Sequence, residues 1–442
     1  MRNNEQKIMS AAGCAAIVLA LLLAAPTGWA AEEVPKLSAI EAEEDASPGV
    51  SSEHEDEADA DGVDEQGKMA LELYGFAMTD VGYYTTQIDP DWFDVVRPTK
   101  LPAYENEFGA GGNSYFSVRQ TRFGVKSWLP TKWGEAFGIF EFELFGVGVD
   151  AGQTTFRLRH AYLELGQFGA GQYWSVFMDA DVFPNSLEYW GPSGMVFFRN
   201  VQVRWMPIKG ETRLTFSLER PGASGDQGNY DDYVELDDVR SHFPYPDFAA
   251  EYRLGGDWGY VELAGILRYI EWQDLGTDEY DLSGSATGWG LNLSSNIKLG
   301  ESNTLRLQVV YGEGVENYMN DATVDIGIEP NPGNPVSPIK GVAIPLLGTL
   351  AFLDHNWSDK WSTSVGFSTF DMDNTSGQRP DAFASGRYAL VNLLHYPIPN
   401  MMVGAELQYG YRENFSDGWS VDDWKVQFSF RYKFSHTLGG KS

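Results

Sequence analysis

Polar side chains, many of them basic, recur at every second position along several segments of the sequence. The last such segment reads DDWKVQFSFRYKF, residues 422–434. Lys425, Gln427, Ser429, Arg431 and Lys433 alternate there with Val426, Phe428, Phe430, Tyr432 and Phe434. Successive side chains of an extended strand point to opposite faces, so one face would be basic and the other apolar and aromatic. Because guanidinium and ammonium groups attract carboxylates and phosphates, the spacing predicts a wall that attracts anions.

The same alternation places more basic residues on the polar faces of strands. They are Arg122, Lys126, Arg157, Arg159, Arg204 and Arg213, followed by Arg253, Arg268, Lys298, Arg306 and Arg412. Fewer acidic residues fall on these faces, and Glu141 and Glu143 are the clearest pair. If these faces line a channel, a net basic lining favours anions. The alternative is that Arg157 and Arg159 pair with Glu141 and Glu143 across neighbouring strands and only stiffen the wall.

The segment 178–198, MDADVFPNSLEYWGPSGMVFF, is unusually apolar for a connection between strands. An external loop in water should not carry so many aromatic residues, so we expect it to fold inward and narrow the channel. Asp179, Asp181 and Glu188 would then face the basic wall across the channel. The alternative is that the segment packs against a neighbouring subunit.

A second long connection, residues 221–245, is rich in acidic residues. Clustered carboxylates could hold a divalent cation or present negative charge at the mouth of a channel. A solvated loop without a bound ion is the simpler interpretation.

Catalytic motifs are missing from the sequence. It contains no G-x-S-x-G, no H-E-x-x-H and no nucleotide-binding loop. His160, His355 and His395 are scattered single residues within segments of strand pattern. We therefore expect no enzymatic activity, no cofactor, no metal site and no nucleic-acid partner.

The elements that must position these side chains are strands. Turn residues divide the chain from Leu71 onward into about sixteen segments, and short polar turns alternate with long connections rich in Gly, Pro, Asp and Asn. The predicted strands are 71–84, 113–128, 135–148, 154–166, 169–177, 199–207, 212–220, 246–255, 258–272, 286–299, 303–312, 345–356, 361–371, 384–396, 401–413 and 422–434. An even number of antiparallel strands with this loop asymmetry predicts an all-β transmembrane barrel, closed by its N-terminal and C-terminal strands.

Two architectures could explain strands with one apolar and one polar face. In an outer-membrane barrel the apolar face meets lipid and the polar face meets water, whereas in a soluble sandwich the polar face lies outside. Tryptophan and tyrosine residues near strand ends, such as Trp128, Trp258 and Tyr396, favour lipid, because these side chains collect at membrane interfaces.

The ends of the sequence have other roles. Residues 1–30 have the basic start, apolar core and small residues of a secretory signal peptide, with cleavage expected after Ala30. Residues 31–68 are strongly acidic and are predicted to be disordered, as a solvated spacer or a partner for a cation or basic group. The barrel is expected over 69–434, followed by a short tail, 435–442.

Several stretches resemble one family of porins. They are LYGFAMTDVGYY, RQTRFGVKSW, FRLRHAYLELGQFGAGQYWSVFMDADVFPN and RNVQVRW, which are similar to the DcaP family of outer-membrane porins. The resemblance implies a homotrimer of 16-stranded barrels that passes small anionic solutes, dicarboxylates among them. It also implies that Arg157 and Arg159 lie in the wall and that the loop after GQYWSVF folds inward. Residues 31–67 lack the apolar heptads of the coiled coil that often precedes the barrel in this family.

The leading hypothesis is a passive, anion-preferring porin in the bacterial outer membrane, in contact with lipid. The alternative is a structural or adhesive surface protein that works through its long acidic loops. Conductance in a planar bilayer distinguishes the two hypotheses, because only a porin gives stepwise conductance.

Overall fold

The computed structural model describes residues 69–321 and 323–439, which form a closed antiparallel barrel and one additional hairpin. The strands are β1 (Ala70–Tyr84), β2 (Ser114–Ser117), β3 (Arg122–Thr131), β4 (Gly134–Phe145), β5 (Thr154–Leu165), β6 (Phe168–Trp174), β7 (Arg199–Ile208), β8 (Arg213–Glu219), β9 (Val239–His242), β10 (Asp247–Gly256), β11 (Gly259–Asp274), β12 (Gly284–Lys298), β13 (Asn303–Glu313), β14 (Ile326–Pro330), β15 (Ile339–Ala343), β16 (Pro345–Ser358), β17 (Trp361–Met372), β18 (Phe383–His395), β19 (Met401–Asn414) and β20 (Ser420–Gly439). Among these described residues, no helix is long and apolar enough to cross a membrane.

Sixteen positions make up the wall of the barrel in the described part of the chain. β2 and β3 share one position because both pair with β1. β9 and β10 share another because both pair with β11. β14 and β15 pair only with each other in a hairpin outside the wall, within the connection from β13 to β16. The predicted 16-stranded barrel is therefore confirmed.

The first and last strands close the wall. β1 pairs with β20 from Ala70 opposite Gly439 to Tyr84 opposite Lys425, and it pairs with β3 on its other edge. Closure leaves no free edge along this seam, which is what a strand surrounded by hydrocarbon requires. The last strand runs five residues beyond Phe434, the end expected from the sequence, because Ser435–Gly439 continue to pair with β1.

The two ends of the barrel differ in the length of the connections that they carry. Short turns such as Thr131–Gly134 and Leu165–Phe168 lie at the same end as Ala70 and Gly439. The opposite end carries the long connections, including 85–113, 175–198 and 314–344. This asymmetry matches outer-membrane barrels, in which the short turns are periplasmic and the long loops are external.

The two faces of the wall confirm the orientation inferred from alternation. On β20, Phe428 is 57% exposed on the outer face, whereas the inward Lys425 and Gln427 are fully buried. Polar side chains fill the inside and apolar side chains cover the outside, which is the reverse of a soluble sandwich.

The pairing of β4 with β5 includes a departure from simple alternation. The pairing of β4 with β5 shifts register between Glu141 and Phe142, so Arg159 is an extra residue between His160 and Leu158. A bulge of this kind moves the following side chains to the other face. Tyr162 has the same parity as the exposed Leu158, yet it lies inside and stacks on Tyr173 at 4.7 Å between ring centroids.

The expected signal peptide (1–30) and acidic segment (31–68) lie outside the described residues, and so do residues 440–442 at the end of the predicted tail.

Candidate functional site: the basic wall and the inward loop

The loop 178–198 folds into the barrel as expected. Met195 and Val196 are fully buried, and the loop backbone bonds to the connection after β13: Phe197 N donates to Tyr318 O at 2.9 Å and Asn320 N donates to Met195 O at 2.8 Å. Gly194 lies directly on the wall, where a Cβ would come within 1.9 Å of Thr369 O. The apolar residues that made this segment improbable as a solvated loop thus become its packing surface.

Arg253 on β10 clamps the start of the loop. Its Nη2 lies 2.7 Å from Asp179 Oδ1, and its guanidinium also bonds to Asp181. Tyr260 and Ser294 donate to the other oxygen of Asp179 at 2.7 and 2.6 Å. Burial opposes ionisation of Asp179, but the charges of Arg253 and Arg213 and these hydrogen bonds outweigh it and lower its pKa. Asp179 and Asp181 therefore face the basic wall, but they bond to it directly and anchor the loop instead of facing it across the channel.

Glu188 holds the middle of the loop. Val96 N donates to Glu188 at 2.9 Å and Gly191 N donates to its other oxygen, while Lys425 Nζ lies 3.9 Å away. Burial raises the pKa of Glu188 to about 7, although Lys425 acts in the opposite direction. The wall residue Glu406 accepts hydrogen bonds from Leu187 N at 2.7 Å and Glu188 N at 3.1 Å. Carboxylates on both sides thus fix this turn of the loop.

Glu141 and Glu143 on β4 lie among arginines. Arg159 donates to Glu141 at 2.5 Å and to Glu143 at 2.8 Å, and it is almost fully buried. Arg122 lies 3.8 and 3.9 Å from the same two carboxylates, and Arg157 lies 3.6 Å from Glu143. Pairing across strands therefore does occur, but these arginines outnumber the two carboxylates they share.

Arg199, the first residue of β7, also reaches Glu143 at 3.5 Å. Alternation along β7 could not reveal this contact, because Arg199 has the same parity as the exposed Val201 and Val203. Its proximity to the inward loop is the reason that its side chain is nevertheless 5% exposed.

Three more of the basic residues expected in the lining differ in their surroundings. Lys126 lies inside the barrel, with its Nζ 4.6 Å from the ring centroid of Tyr74. Arg204 is buried and donates to Gln202 and to the Trp174 carbonyl. Arg213 pairs with Glu251 at 3.1 Å and Glu262 at 2.8 Å. Arg204 and Arg213 therefore belong to wall networks separate from the one around Glu141 and Glu143.

A cavity of about 250 Å³ lies between the wall and the inward loops. Its lining includes Arg97, Arg157 and Arg199, together with Tyr189 and Trp190, and none of the described residues that line it is acidic. Arg97 comes from the connection after β1, where its guanidinium lies 4.2 Å from the ring centroids of both Trp92 and Trp190 and 2.9 Å from Asp321. Sequence alternation missed Arg97 because it belongs to no strand.

The acidic loop 221–245 offers no support for a bound cation. Across residues 69–321 and 323–439, no three His, Cys, Asp or Glu side chains converge as a metal site would require. Asp231, for example, lies 3.2 Å from Arg379 on a neighbouring loop.

Comparison with solved structures identifies other outer-membrane barrels. The outer membrane channel DcaP of Acinetobacter baumannii superposes with a TM-score of 0.68 at 18% identity, over 83% of this chain and 97% of that chain. OmpT, an outer membrane protein of Vibrio cholerae, has a TM-score of 0.50 at 12% identity, over 83% and 98% of the two chains. The anion-selective porin from Comamonas acidovorans has a TM-score of 0.50 at 9% identity, over 83% and 100%. At these identities the similarity establishes the fold.

The sequence itself gives the family. No curated protein sequence matches this chain. The sequence model of the DcaP outer membrane protein family matches residues 100–434, about three quarters of the chain. This match agrees with the barrel and with an outer-membrane location, and the chain belongs to the DcaP outer membrane protein family.

Proposed function

We propose that this outer-membrane channel protein is a porin for the passive diffusion of small, preferentially anionic solutes, dicarboxylates among them. The observation that carries the proposal is the cavity bounded by Arg97, Arg157 and Arg199, which has no acidic residue among its described lining. Guanidinium groups bind carboxylates through paired hydrogen bonds. Several of them around one cavity could contact both ends of a dicarboxylate.

The neighbouring wall supports the same sign of selectivity. Glu141 and Glu143 neutralise part of the positive charge, yet they are shared by Arg122, Arg157 and Arg159, with Arg199 also near Glu143. The side chains of Arg122 and Arg157 remain 18% and 27% exposed, so they contribute to the field inside the barrel. A charge in such a confined polar space raises the local concentration of counter-ions.

The assembly proposed is a homotrimer in outer-membrane lipid, without enzymatic activity. Large apolar residues on the outer face of β5, such as Phe156 and Leu163, are 75% and 68% exposed in the single chain. They would be covered by lipid or by another subunit. Export would follow cleavage of the signal peptide after Ala30.

The reversal potential across a salt gradient tests the proposal. The reversal potential of the native channel should have the sign that indicates a higher permeability for anions than for cations. In the double variant Arg157→Gln, Arg199→Gln, the reversal potential should lie closer to zero. Arg379→Gln is the matched control, since Arg379 is 55% exposed in the outer loops, pairs with Asp231 and does not line the cavity. A cation-selective native channel would refute the anion preference, and a native protein that is silent in bilayers would favour the adhesive alternative.

A further inference from the structure

A second cavity lies at the external end of the barrel, apart from the basic wall. Its volume is about 240 Å³, and it lies between the connection 223–243, the outer end of β11 and the hairpin of β14 and β15. Ile270 and Trp272 on β11 supply part of its lining from the barrel wall. We call this space the loop cavity. Among the described residues, it shares no lining residue with the cavity on which the proposed function depends.

The loop cavity is lined mainly by apolar side chains. Leu236, Leu282, Ile326, Ile328 and Ile339 come from three different connections, and each of them is 8% exposed. Four of the five, all except Ile326, belong to one hydrophobic cluster. Protein interiors leave few voids larger than a water molecule, so a space of this volume exceeds what close packing leaves. The loop cavity is therefore suited to an apolar group from outside the chain.

Charged groups are few in the lining itself. Asp226, Glu271 and Lys340 are the charged residues among the described residues that line the loop cavity. Lys340 Nζ lies 3.4 Å from Glu329, so its charge already has a counter-charge. The lining therefore carries more negative than positive charge.

The connections around the loop cavity carry a strongly negative surface. Residues 221–245, 274–283 and 326–343 contain eleven Asp and Glu and two Lys or Arg. Seven of these carboxylates are exposed: Asp231, Asp232, Asp237, Asp238, Asp278, Glu279 and Asp281. Arg379 from a neighbouring loop pairs with Asp231. A surface of this kind attracts cationic groups and repels anionic ones.

Exposed apolar side chains lie on the same three connections. Val234 is 72% exposed, Leu275 is 63% exposed and Val336 is 50% exposed. Leu275 N donates to Asp238 O at 3.2 Å, and Asp281 N donates to Val336 O at 2.9 Å, so backbone hydrogen bonds join the connections into one surface. Exposed apolar groups beside carboxylates are complementary to a partner that is both basic and amphipathic.

We propose that this external surface binds a basic, amphipathic polypeptide, with one apolar side chain of the partner in the loop cavity and its lysines or arginines against the surrounding carboxylates. A polypeptide fits better than a small amine, because the exposed carboxylates are spread over three connections, whereas Asp226 and Glu271 are the carboxylates of the described lining. The same charges disfavour an anionic lipid headgroup. This interaction is independent of the anion preference proposed for the channel.

Fluorescence polarisation with the mature protein in nanodiscs of zwitterionic lipid tests the interaction. The probe is the labelled peptide KKGKLKGKK; KKGKSKGKK lacks the leucine, and EEGELEGEE reverses the charge. KKGKLKGKK should bind about tenfold or more tightly than KKGKSKGKK, because its leucine side chain leaves water. Its affinity should fall by about tenfold between about 0.1 M and about 0.5 M salt, and EEGELEGEE should not bind.

Variants separate the contribution of the cavity from that of the surface charge. Leu236→Trp, which places a larger side chain in the lining, should remove the preference for KKGKLKGKK over KKGKSKGKK. The double variant Asp237→Asn, Asp238→Asn should bind both basic peptides about threefold or more weakly. The matched control Glu105→Gln, Asp150→Asn neutralises exposed carboxylates of other external connections and should leave both affinities unchanged.

Photo-crosslinking locates the apolar side chain of the peptide. With photo-leucine at its central position, KKGKLKGKK should cross-link to lining residues such as Leu236, Ile328 and Trp272 of the native protein, as mapped by mass spectrometry. This measurement needs no substitution, so it decides the question even if Leu236→Trp fails to fold, which heat-modifiable gel mobility reports.

Three results would overturn the proposal. The first is equal binding of KKGKLKGKK and KKGKSKGKK to the native protein, because charge alone would then attract the peptide. The second is cross-linking confined to residues outside the loop cavity, and the third is no binding of either basic peptide at about 0.1 M salt. None of them would affect the proposed channel, which is tested by conductance and not by peptide binding.

Discussion

Arg159 shows how a single side chain can matter more for the stability of the wall than for its selectivity. It is 2% exposed and bonds to both Glu141 and Glu143, so it is the principal counter-charge of two buried carboxylates. Arg157 contacts only Glu143, at 3.6 Å, and is 27% exposed. Burial decides the energetic consequence of losing each of these arginines.

We therefore expect Arg159→Ala to lower the free energy of unfolding by about 3–5 kcal/mol, because it leaves two buried carboxylates without their closest counter-charge. Arg157→Ala, the control, should cost no more than about 1 kcal/mol. Urea unfolding in detergent micelles measures both. Equal losses for the two variants would show that Arg159 is not the principal counter-charge.

Glu188 predicts a dependence on pH. Burial raises its pKa from 4.5 to about 7, against the attraction of Lys425 and with the repulsion of Glu406. The folded state thus binds this proton more tightly than the unfolded chain. The resulting stabilisation is complete below pH 4.5 and is lost as pH rises to about 7, and it amounts to about 3 kcal/mol.

Glu188→Gln, which keeps an acceptor without the charge, should remove this dependence. The melting temperature of the native chain should fall between pH 4.5 and 7 by more than that of Glu188→Gln. If the melting temperatures of the two proteins change with pH in parallel, a group other than Glu188 is responsible for the pH dependence.

At the scale of elements, strands were predictable and their irregularities were not. Alternation and turn residues placed the sixteen wall positions with ends a few residues from those observed; β13, for instance, was expected at 303–312 and runs from Asn303 to Glu313. Such patterns are local, because in a regular strand the position of a residue in the sequence alone determines the face on which its side chain lies.

The bulge in β5 depends instead on the register between two strands. Nothing in FRLRHAYLEL marks Arg159 as an extra residue, since the shift appears only in its pairing with β4. Strict alternation along this segment identifies the basic pair Arg157 and Arg159, but it would place Tyr162 on the opposite face, whereas the shift brings Tyr162 inside. Arg97 and Arg199 were missed because the inward fold of two connections, and not periodicity, brings them to the cavity.

The loop 178–198 is held at several points along its length, and Asp179 and Asp181 attach its start to Arg253. Asp179→Asn with Asp181→Asn should weaken its attachment to Arg253, because two ion pairs become hydrogen bonds from the charged guanidinium to neutral amides. We expect higher single-channel conductance and faster proteolysis within the loop.

Asp231→Asn is the matched control, since Asp231 pairs with Arg379 in the outer loops and is 47% exposed. Unchanged conductance in the Asp179, Asp181 variant, with the control also unchanged, would mean that these carboxylates do not set the width of the channel.

At the scale of the whole molecule, the distribution of charge matters more than its sum. The sequence has a net charge of −32, yet basic side chains gather along the inside of β20, β3 and β5. Acidic residues are concentrated in outer loops and in residues 31–68. An anion would thus meet unfavourable charge before it reaches the favourable wall, so the measured selectivity should depend strongly on ionic strength.

The orientation of the wall yields the most general prediction. Phe428 lies on the outer face of β20, midway between the outward residues Trp424 and Tyr432, which fit the two membrane interfaces. Phe428→Arg would therefore place a charge near the centre of the bilayer, at a cost of about 2–4 kcal/mol. We expect it to lower the yield of folded protein in lipid vesicles and the urea concentration at which the protein unfolds.

Phe428→Leu is the control, because it keeps an apolar side chain at the same site. If the arginine and leucine variants fold equally well in vesicles, the outer face of β20 does not meet hydrocarbon, and a mature chain that stays folded and monodisperse without detergent would lead to the same conclusion. The interior would then no longer need to be aqueous, and the basic wall would lose its role as a path for anions.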